Sequence, residues 1–274
     1  MPEGHVTHRL ARALTDAFGG RVVRVSSPQG RFDESARLLD GTVLVASEAV
    51  GKHLFIDFES ERVVWIHLGL IGKLRLEPTE GPLPNPATLR LRIAADGLAA
   101  DLRGPQWCRL VSPAEREAVE AASGPDPLRA DADPEVAWQR VRRSGRPIGD
   151  LLMDQAVFAG VGNIFRAEVL YRHEVDPYLP GRDVPRPLFD ALWADLVCLM
   201  TDAVALGRID TVRDQHLPEA MGRPPRVDRH GGEVYVYRRA GEGCHACGGP
   251  VARAALKGRN LYWCPSCQRS AGQP

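Results

Sequence analysis

Apolar residues recur at Val6, Leu10, Ala13, Leu14, Ala17 and Phe18, and the run closes on Gly19-Gly20. This spacing predicts an amphipathic helix at the start of the chain. Pro2 is expected at its first position, where a missing N–H costs nothing. The period then shortens to two. Short runs at 22–25, 42–45, 53–58, 63–68, 73–76, 89–93 and 98–102, broken by turn residues, predict an antiparallel sandwich or barrel. A short helix over 113–122 leads into Gly124-Pro125-Asp126-Pro127, a turn-rich break and the expected domain boundary. Beyond it the pattern is helical. One helix starts near Trp138, others are expected over 147–157 and 164–173, and a long one over 187–206 carries Leu188, Leu192, Leu196, Leu199 and Met200 on one face. Residues 207–234 are rich in Gly, Pro, Arg and His without periodicity, and a loop of that length is either functional or mobile. Two short strands, 250–256 and 260–263, flank Lys257-Gly258-Arg259 near the C-terminus.

At 274 residues the chain exceeds the ~250 that one core usually organises, so more than one domain is expected. Apolar content of 44% and charged content of 26% are those of an ordinary soluble protein. No run approaches the ~18 apolar residues of a membrane helix, and no signal peptide is recognised. A cytoplasmic protein with no membrane partner is the expectation. Disulfides are disfavoured in that reducing setting, so the six cysteines call for another use.

Zero net charge conceals an uneven distribution. Residues 113–135 hold seven acids against two arginines, whereas residues 222–274 hold nine Lys/Arg against three acids. Arg140, Arg142, Arg143 and Arg146 crowd together between these segments. A basic C-terminal half fits a polyanionic partner, and on charge alone it fits a solvated basic face equally well.

Cys244-x2-Cys247 and Cys264-x2-Cys267 form the most specific motif. Four thiolates at this spacing in a reducing compartment predict one structural Zn2+ with no open coordination position. The metal would brace a hairpin whose tip presents Lys257 and Arg259 to a phosphate, or would simply stabilise a C-terminus or a protein contact. Cys108 and Cys198 are read as buried thiols.

The stretch Met1-Pro2-Glu3-Gly4-His5 carries candidate chemistry. Once the initiator Met is trimmed, Pro2 presents a secondary amine with an α-amino pKa of roughly 7.7–8.0, partly neutral and able to attack an electrophilic carbon. Glu3 can move protons for it. Inert Met-Pro starts are also common, and these five residues alone do not separate the two readings. His5 and His8 share a helix face, and without a third ligand nearby they are read as surface or substrate-facing groups rather than metal ligands. Gly160-Val161-Gly162-Asn163 predicts a tight turn with Asn163 capping the next helix, a ready phosphate site. Leu70 and Ile71, in a glycine-flanked turn, either fold back into the core or act as wedges in a base stack.

Together these motifs resemble the bacterial formamidopyrimidine-DNA glycosylase/endonuclease VIII family. The resemblance rests on Met1-Pro2-Glu3-Gly4, Gly51-Lys52-His53-Leu54, Ile66-His67-Leu68-Gly69, Gly160-Val161-Gly162-Asn163-Ile164 and the terminal ribbon with Arg259, in order along nearly the whole chain. It implies an α+β multidomain protein. An N-terminal β-sandwich domain with its N-terminal helix would occupy 1–123 and a linker 124–133. A helix–two-turns–helix DNA-binding domain would occupy 134–235, and a zinc-ribbon β-hairpin 236–274. It also implies a bifunctional glycosylase and abasic-site lyase acting on damaged double-stranded DNA, expected as a monomer. Pro2 would be the Schiff-base nucleophile, Glu3 the proton shuttle and Lys52 a phosphate ligand beside the lesion. Asn163 and Arg259 would hold further phosphates, aided by Lys257, and Leu70 and Ile71 would fill the gap left by an extruded nucleotide. The turn Leu70-Ile71 lacks the Met of the formamidopyrimidine branch, and Asp101-Leu102-Arg103-Gly104-Pro105 lacks its Phe. Both departures point to the endonuclease VIII branch and to oxidised pyrimidines. The alternative is a damaged-DNA-binding protein of the same fold without turnover.

Overall fold

In a computed structural model, which describes residues 2–80, 85–227 and 232–269, the opening helix starts later than its pattern suggested. Helix α1 spans Gly4–Phe18, Glu3 occupies its N-cap in extended backbone (φ −114°, ψ 179°), and Pro2 lies outside the helix. The helix buries Ala11, Leu14 and Phe18 among the sheet's apolar side chains. His5 and His8 are buried as well, which corrects their reading as surface groups.

The chain divides into two compact units, Met1–Ala122 and Ser123–Pro274. The first is built on β1 (Arg21–Ser26), α2 (Asp33–Leu39), β2 (Thr42–Val50), β3 (His53–Phe58), β4 (Arg62–His67), β5 (Lys73–Pro78), β6 (Leu89–Ala95), β7 (Leu98–Arg103), β8 (Trp107–Val111) and α3 (Pro113–Ala122). The strands follow the order β5-β7-β6-β1-β2-β3-β4-β8, antiparallel throughout. β1 serves both layers of the sandwich: its first half pairs with β2 (Arg21 to Leu44) and its second with β6 (Ser26 to Arg92). Alternation sorts the side chains. On β3 and β4, Leu54, Ile56, Val64 and Ile66 enter the main core, while Phe55, Val63 and Trp65 form a separate cluster on the opposite face with Val119 of α3. Neither α2 nor β8 was expected from the pattern, since each is too short to display a clear period.

The second unit holds α4 (Pro134–Val141), α5 (Ile148–Leu151), α6 (Asn163–Arg172), α7 (Arg186–Leu206), α8 (Pro218–Met221), β9 (Ala252–Leu256) and β10 (Arg259–Trp263). Residues 124–133, expected as a linker, pack into this unit: Asp126 is buried with its carboxylate accepting from the Leu128 amide (2.9 Å), and Leu128 lies against the core. The hairpin shares that core through Val251, Tyr262 and Cys264.

The helix expected over 147–157 ends at Leu151 and gives way to two turns before α6. Gln155 explains the break. Its amide donates to the Met153 and Val161 carbonyls (both 3.0 Å) and accepts from the Gly160 N–H (3.1 Å), so the side chain takes backbone partners that a helix would need free. The basic cluster after α4 is partly neutralised, since Arg146 pairs with Asp150 (2.8 Å) and Asp154 (2.7 Å). Cys198 corrects another expectation. It sits exposed on the outer side of α7, whereas Cys108 is buried, and burial pushes its thiol up to about 12.

Candidate active site and nucleic-acid contacts

Gly51 and Lys52 are the two residues of the turn between β2 and β3, where Val50 pairs with His53. Gly51 takes φ 58°, which a first central residue of a hairpin turn requires and which glycine adopts without a Cβ penalty. The Thr7 hydroxyl lies 2.9 Å from the Gly51 carbonyl oxygen and 3.0 Å from that of Gly4. This contact ties the Lys52 turn to the first turn of α1. Glu3, fully buried, and Pro2, half-buried, sit just upstream.

Two histidines that sequence reasoning quoted in motifs but gave no role lie beside Lys52. His53 and His67 face each other across β3 and β4, with ring centroids 5.4 Å apart. Burial, and then each other's charge and that of Lys52, lower the pKa of His53 to about 4. Burial and Lys52 lower that of His67 too. Nδ1 of His67 accepts the Gly69 N–H (3.1 Å), and Nδ1 of His53 accepts the Trp65 indole N–H (3.1 Å). Each neutral ring therefore carries its proton on Nε2, a donor suited to an anionic oxygen.

Leu70 and Ile71 do not fold back. They are 61% and 79% exposed at the turn between β4 and β5, while Leu68 enters the core. The turn is closed by the Gly72 N–H bonded to the Leu68 carbonyl (3.0 Å), and a Cβ on Gly72 would lie 2.2 Å from that oxygen.

In the second unit, Asn163 is the first residue of α6 and Gly162 its N-cap, so Asn163 does not cap as expected. Its side chain instead reaches the hairpin: Nδ2 donates to the Asn260 carbonyl (2.9 Å), and Oδ1 accepts from Arg166. Arg166, buried among the largest core side chains, also donates to the carbonyls of Asn260 (2.9 Å) and Gly149 (3.2 Å). Its charge gave no hint of this burial in the sequence. The hairpin pairs Leu256 with Arg259 around Lys257-Gly258, both at positive φ (48° and 72°), as a type I′ turn requires. Lys257 and Arg259 are exposed. Asn163 is thus joined directly to the strand that begins with Arg259.

Glu168, one turn further along α6 and fully buried, was also missed. Its carboxylate accepts from the Tyr235, Val236 and Tyr237 amides (2.6, 2.9 and 2.8 Å) and from the Thr211 hydroxyl (2.5 Å). It fastens both ends of the segment expected as an open loop. That segment also contains α8 and a pairing of Arg223 with Glu233 (2.6 Å).

The Sγ atoms of Cys244, Cys247, Cys264 and Cys267 lie within 4.8 Å of one another. Cys244 and Cys267 are 3.8 Å apart, and Cys247 and Cys264 3.5 Å. Thiolates bound at ~2.3 Å around a tetrahedral zinc would be separated by ~3.8 Å, so the residues present fit that ion.

Residues 1–106 match the formamidopyrimidine-DNA glycosylase N-terminal domain, and residues 123–215 the formamidopyrimidine-DNA glycosylase H2TH domain. The chain belongs to the formamidopyrimidine-DNA glycosylase/endonuclease 8 family. Within that family it is 50% identical to endonuclease 8 1 of Mycobacterium tuberculosis, over 98% of this chain and 100% of that one. It is 33% identical to formamidopyrimidine-DNA glycosylase of Thermus thermophilus, over 98% and 97% respectively. The same fold occurs in Lactococcus lactis Fpg bound to DNA containing an abasic site (TM-score 0.78, 20% identity, 98% and 100% coverage). It occurs again in that protein bound to DNA with an oxidised pyrimidine (TM-score 0.79, 21% identity, 98% and 100% coverage). The α+β family fold is therefore that of the β-sandwich, the H2TH helices and the four-cysteine hairpin. No helix among the described residues is long and apolar enough to cross a membrane.

Proposed function

We propose that this protein is a bifunctional DNA glycosylase and abasic-site lyase that removes oxidised bases, pyrimidines preferentially, from double-stranded DNA. The observation that carries the reading is that Thr7 ties the first turn of α1, which Pro2-Glu3 directly precedes, to the turn of Gly51 and Lys52 in one corner of the first unit. Such a corner holds an amine, a carboxyl group and a phosphate ligand in fixed relation, which is what attack on a sugar carbon demands.

After removal of Met1, the Pro2 nitrogen attacks C1′ of an extruded nucleotide; the bond from C1′ to the base breaks, and the base departs with the electron pair and takes up the proton that the amine gives up. Glu3 supplies a proton as the sugar ring opens at O4′, leaving an iminium between Pro2 and C1′. That iminium acidifies the C2′ proton. Its removal breaks the C3′–O bond and expels the 3′ phosphate, and a second elimination breaks the C5′–O bond. Water then hydrolyses the iminium and regenerates the amine. Lys52 with His53 and His67 would hold the phosphate beside the lesion, and Asn163, Lys257 and Arg259 phosphates bound by the second unit. Leu70 and Ile71, exposed and apolar, suit the space an extruded nucleotide leaves. One zinc ion in the four-cysteine site would keep the hairpin rigid. The pyrimidine preference is supported by the Leu70-Ile71 turn, by Gly104-Pro105 in place of an aromatic residue, and by the similarity to endonuclease 8 1.

Borohydride reduction of the iminium tests the reading. Demethionylated protein mixed with duplex DNA containing an abasic site is expected to give a covalent adduct, and acetylation of the Pro2 nitrogen is expected to abolish it. Salt-dependent DNA binding with no adduct would favour instead the non-catalytic damage-binding protein. Excision rates on a panel of oxidised purines and pyrimidines test the substrate preference.

A further inference from the structure

The outer face of β3, β4 and β8 carries, beside His53 and His67, a group of Trp65, Trp107 and Arg109 that the chemistry above does not use. Three rows cross it: Asp57, Val63 and Val111; Phe55, Trp65 and Arg109; His53, His67 and Trp107. Val119 of α3 packs at the Val63 and Val111 end, and the opposite end is left half-open. There Trp107 stacks on His67 (centroids 4.5 Å, 27°) and meets Trp65 edge-on (5.1 Å, 69°). The guanidinium of Arg109 lies over both indoles, 5.7 Å from Trp107 and 6.0 Å from Trp65.

Arg109 is exposed, and among the described residues it makes no hydrogen bond or ion pair. Some exposed arginines are neutralised by acids, as Arg24 is by Asp40 (2.8 Å) and Arg186 by Glu135 (2.7 Å); what distinguishes Arg109 is its seat over two indoles. The acid on this face, Asp57, is already held by both oxygens on Arg116 (2.7 Å each). Two tryptophans thus support a cation whose in-plane N–H donors they cannot satisfy. Indole faces restrain the side chain and lower the entropy lost when it binds, while the guanidinium edge retains the geometry of a two-oxygen phosphate contact. The two neighbouring histidines carry no competing charge, and Lys52 lies at the same end of the face.

We propose that Arg109, supported by Trp65 and Trp107, is a further phosphodiester ligand that extends the DNA contact of the Lys52 corner along the outer face of β3, β4 and β8. The proposal rests on the DNA-processing reading, and its test distinguishes the two. Affinity for a duplex carrying a tetrahydrofuran abasic analogue is measured across a salt series for the wild type, Arg109→Ala, Trp107→Leu and Lys52→Ala. Arg109→Ala is expected to weaken binding several-fold, equally for damaged and undamaged duplexes. It should also lower the slope of log affinity against log salt by ~0.9, the change from losing one phosphate contact. Trp107→Leu is expected to weaken binding while keeping the slope, because the charge remains and only its support is lost. Wild-type affinity and slope in Arg109→Ala, beside losses in Lys52→Ala, would overturn the proposal and assign this face to something other than DNA. Absence of salt-dependent binding in the wild type would overturn the wider reading.

Discussion

The Thr7 hydroxyl has one proton to share between the Gly4 and Gly51 carbonyl oxygens, at 3.0 and 2.9 Å, and through Gly51 it couples the first turn of α1 to the turn that carries Lys52. Thr7→Val keeps the shape and removes the bridge. The expected cost is ~1 kcal/mol of stability, together with a fall of about tenfold or more in single-turnover excision as the amine and phosphate ligand lose their mutual placement. A destabilised variant with an unchanged excision rate would reduce this bond to a structural role.

Leu70 and Ile71 are exposed, so shortening both to Ala should leave the denaturation midpoint nearly unchanged, within ~0.5 kcal/mol. Their proposed work is done only in a duplex with a nucleotide extruded. Affinity for a lesion-bearing duplex should fall, while affinity for single-stranded DNA, which has no stack to fill, should not. Equal losses on both substrates would count against the wedge.

Arg166 occupies a different position in the energetics. It is buried and bonded to the Asn163 side chain and to the carbonyls of Gly149 and Asn260. Arg166→Met fills much of the volume but strands these acceptors, at an expected cost of ~2–4 kcal/mol. Hydrogen exchange should accelerate across β9 and β10 and remain unchanged in β2 and β3.

Metal removal should act on the same unit. Cys244 and Cys264 belong to its apolar core, and the Tyr171 hydroxyl lies 2.9 Å from the Cys244 sulfur. Elemental analysis of purified protein is expected to find one zinc per chain. Stripping it with a thiol-reactive agent and chelator should lower the melting temperature, with loss of protection confined to the second unit. Retained melting behaviour after complete removal would argue against a structural metal.

Stability should also fall with acid. Burial lowers His5 and His53 from 6.5 to about 4 in the folded protein. Below 6.5 the unfolded chain binds protons that the native state refuses, so stability is full above that value and declines as the pH drops toward 4. Each histidine contributes up to ~3 kcal/mol across this window. Urea midpoints measured from neutral to acid pH should show the decline, and His5→Gln should flatten it.

Much of this architecture is legible in the sequence. The sandwich strands alternate clearly, α1 and α7 keep a helical period, and the cysteine spacing has few other uses. Where side chains compete with the backbone, the pattern misleads. Ile148, Leu151, Leu152 and Val157 keep a helical spacing, yet Gln155 takes the Met153 carbonyl, which would continue the helix. Charge misleads in another way. Arg166 and Glu168 look like solvent-facing residues on α6, but both are interior because the hairpin strand and the 235–237 segment supply partners from far along the chain. The candidate catalytic residues were easier to find than the groups that hold them. Pro2, Glu3 and Lys52 lie in short motifs, whereas the role of Thr7 emerges only once Gly51 is beside it.

The double allegiance of β1 limits how this protein can vary. With its first residues laced to β2 and its last to β6, six residues set the alignment of both layers at once. A single residue inserted there would turn inward-facing side chains outward in two sheets together. Changes of chain length should therefore be tolerated near α8 and be ruinous between Arg21 and Ser26.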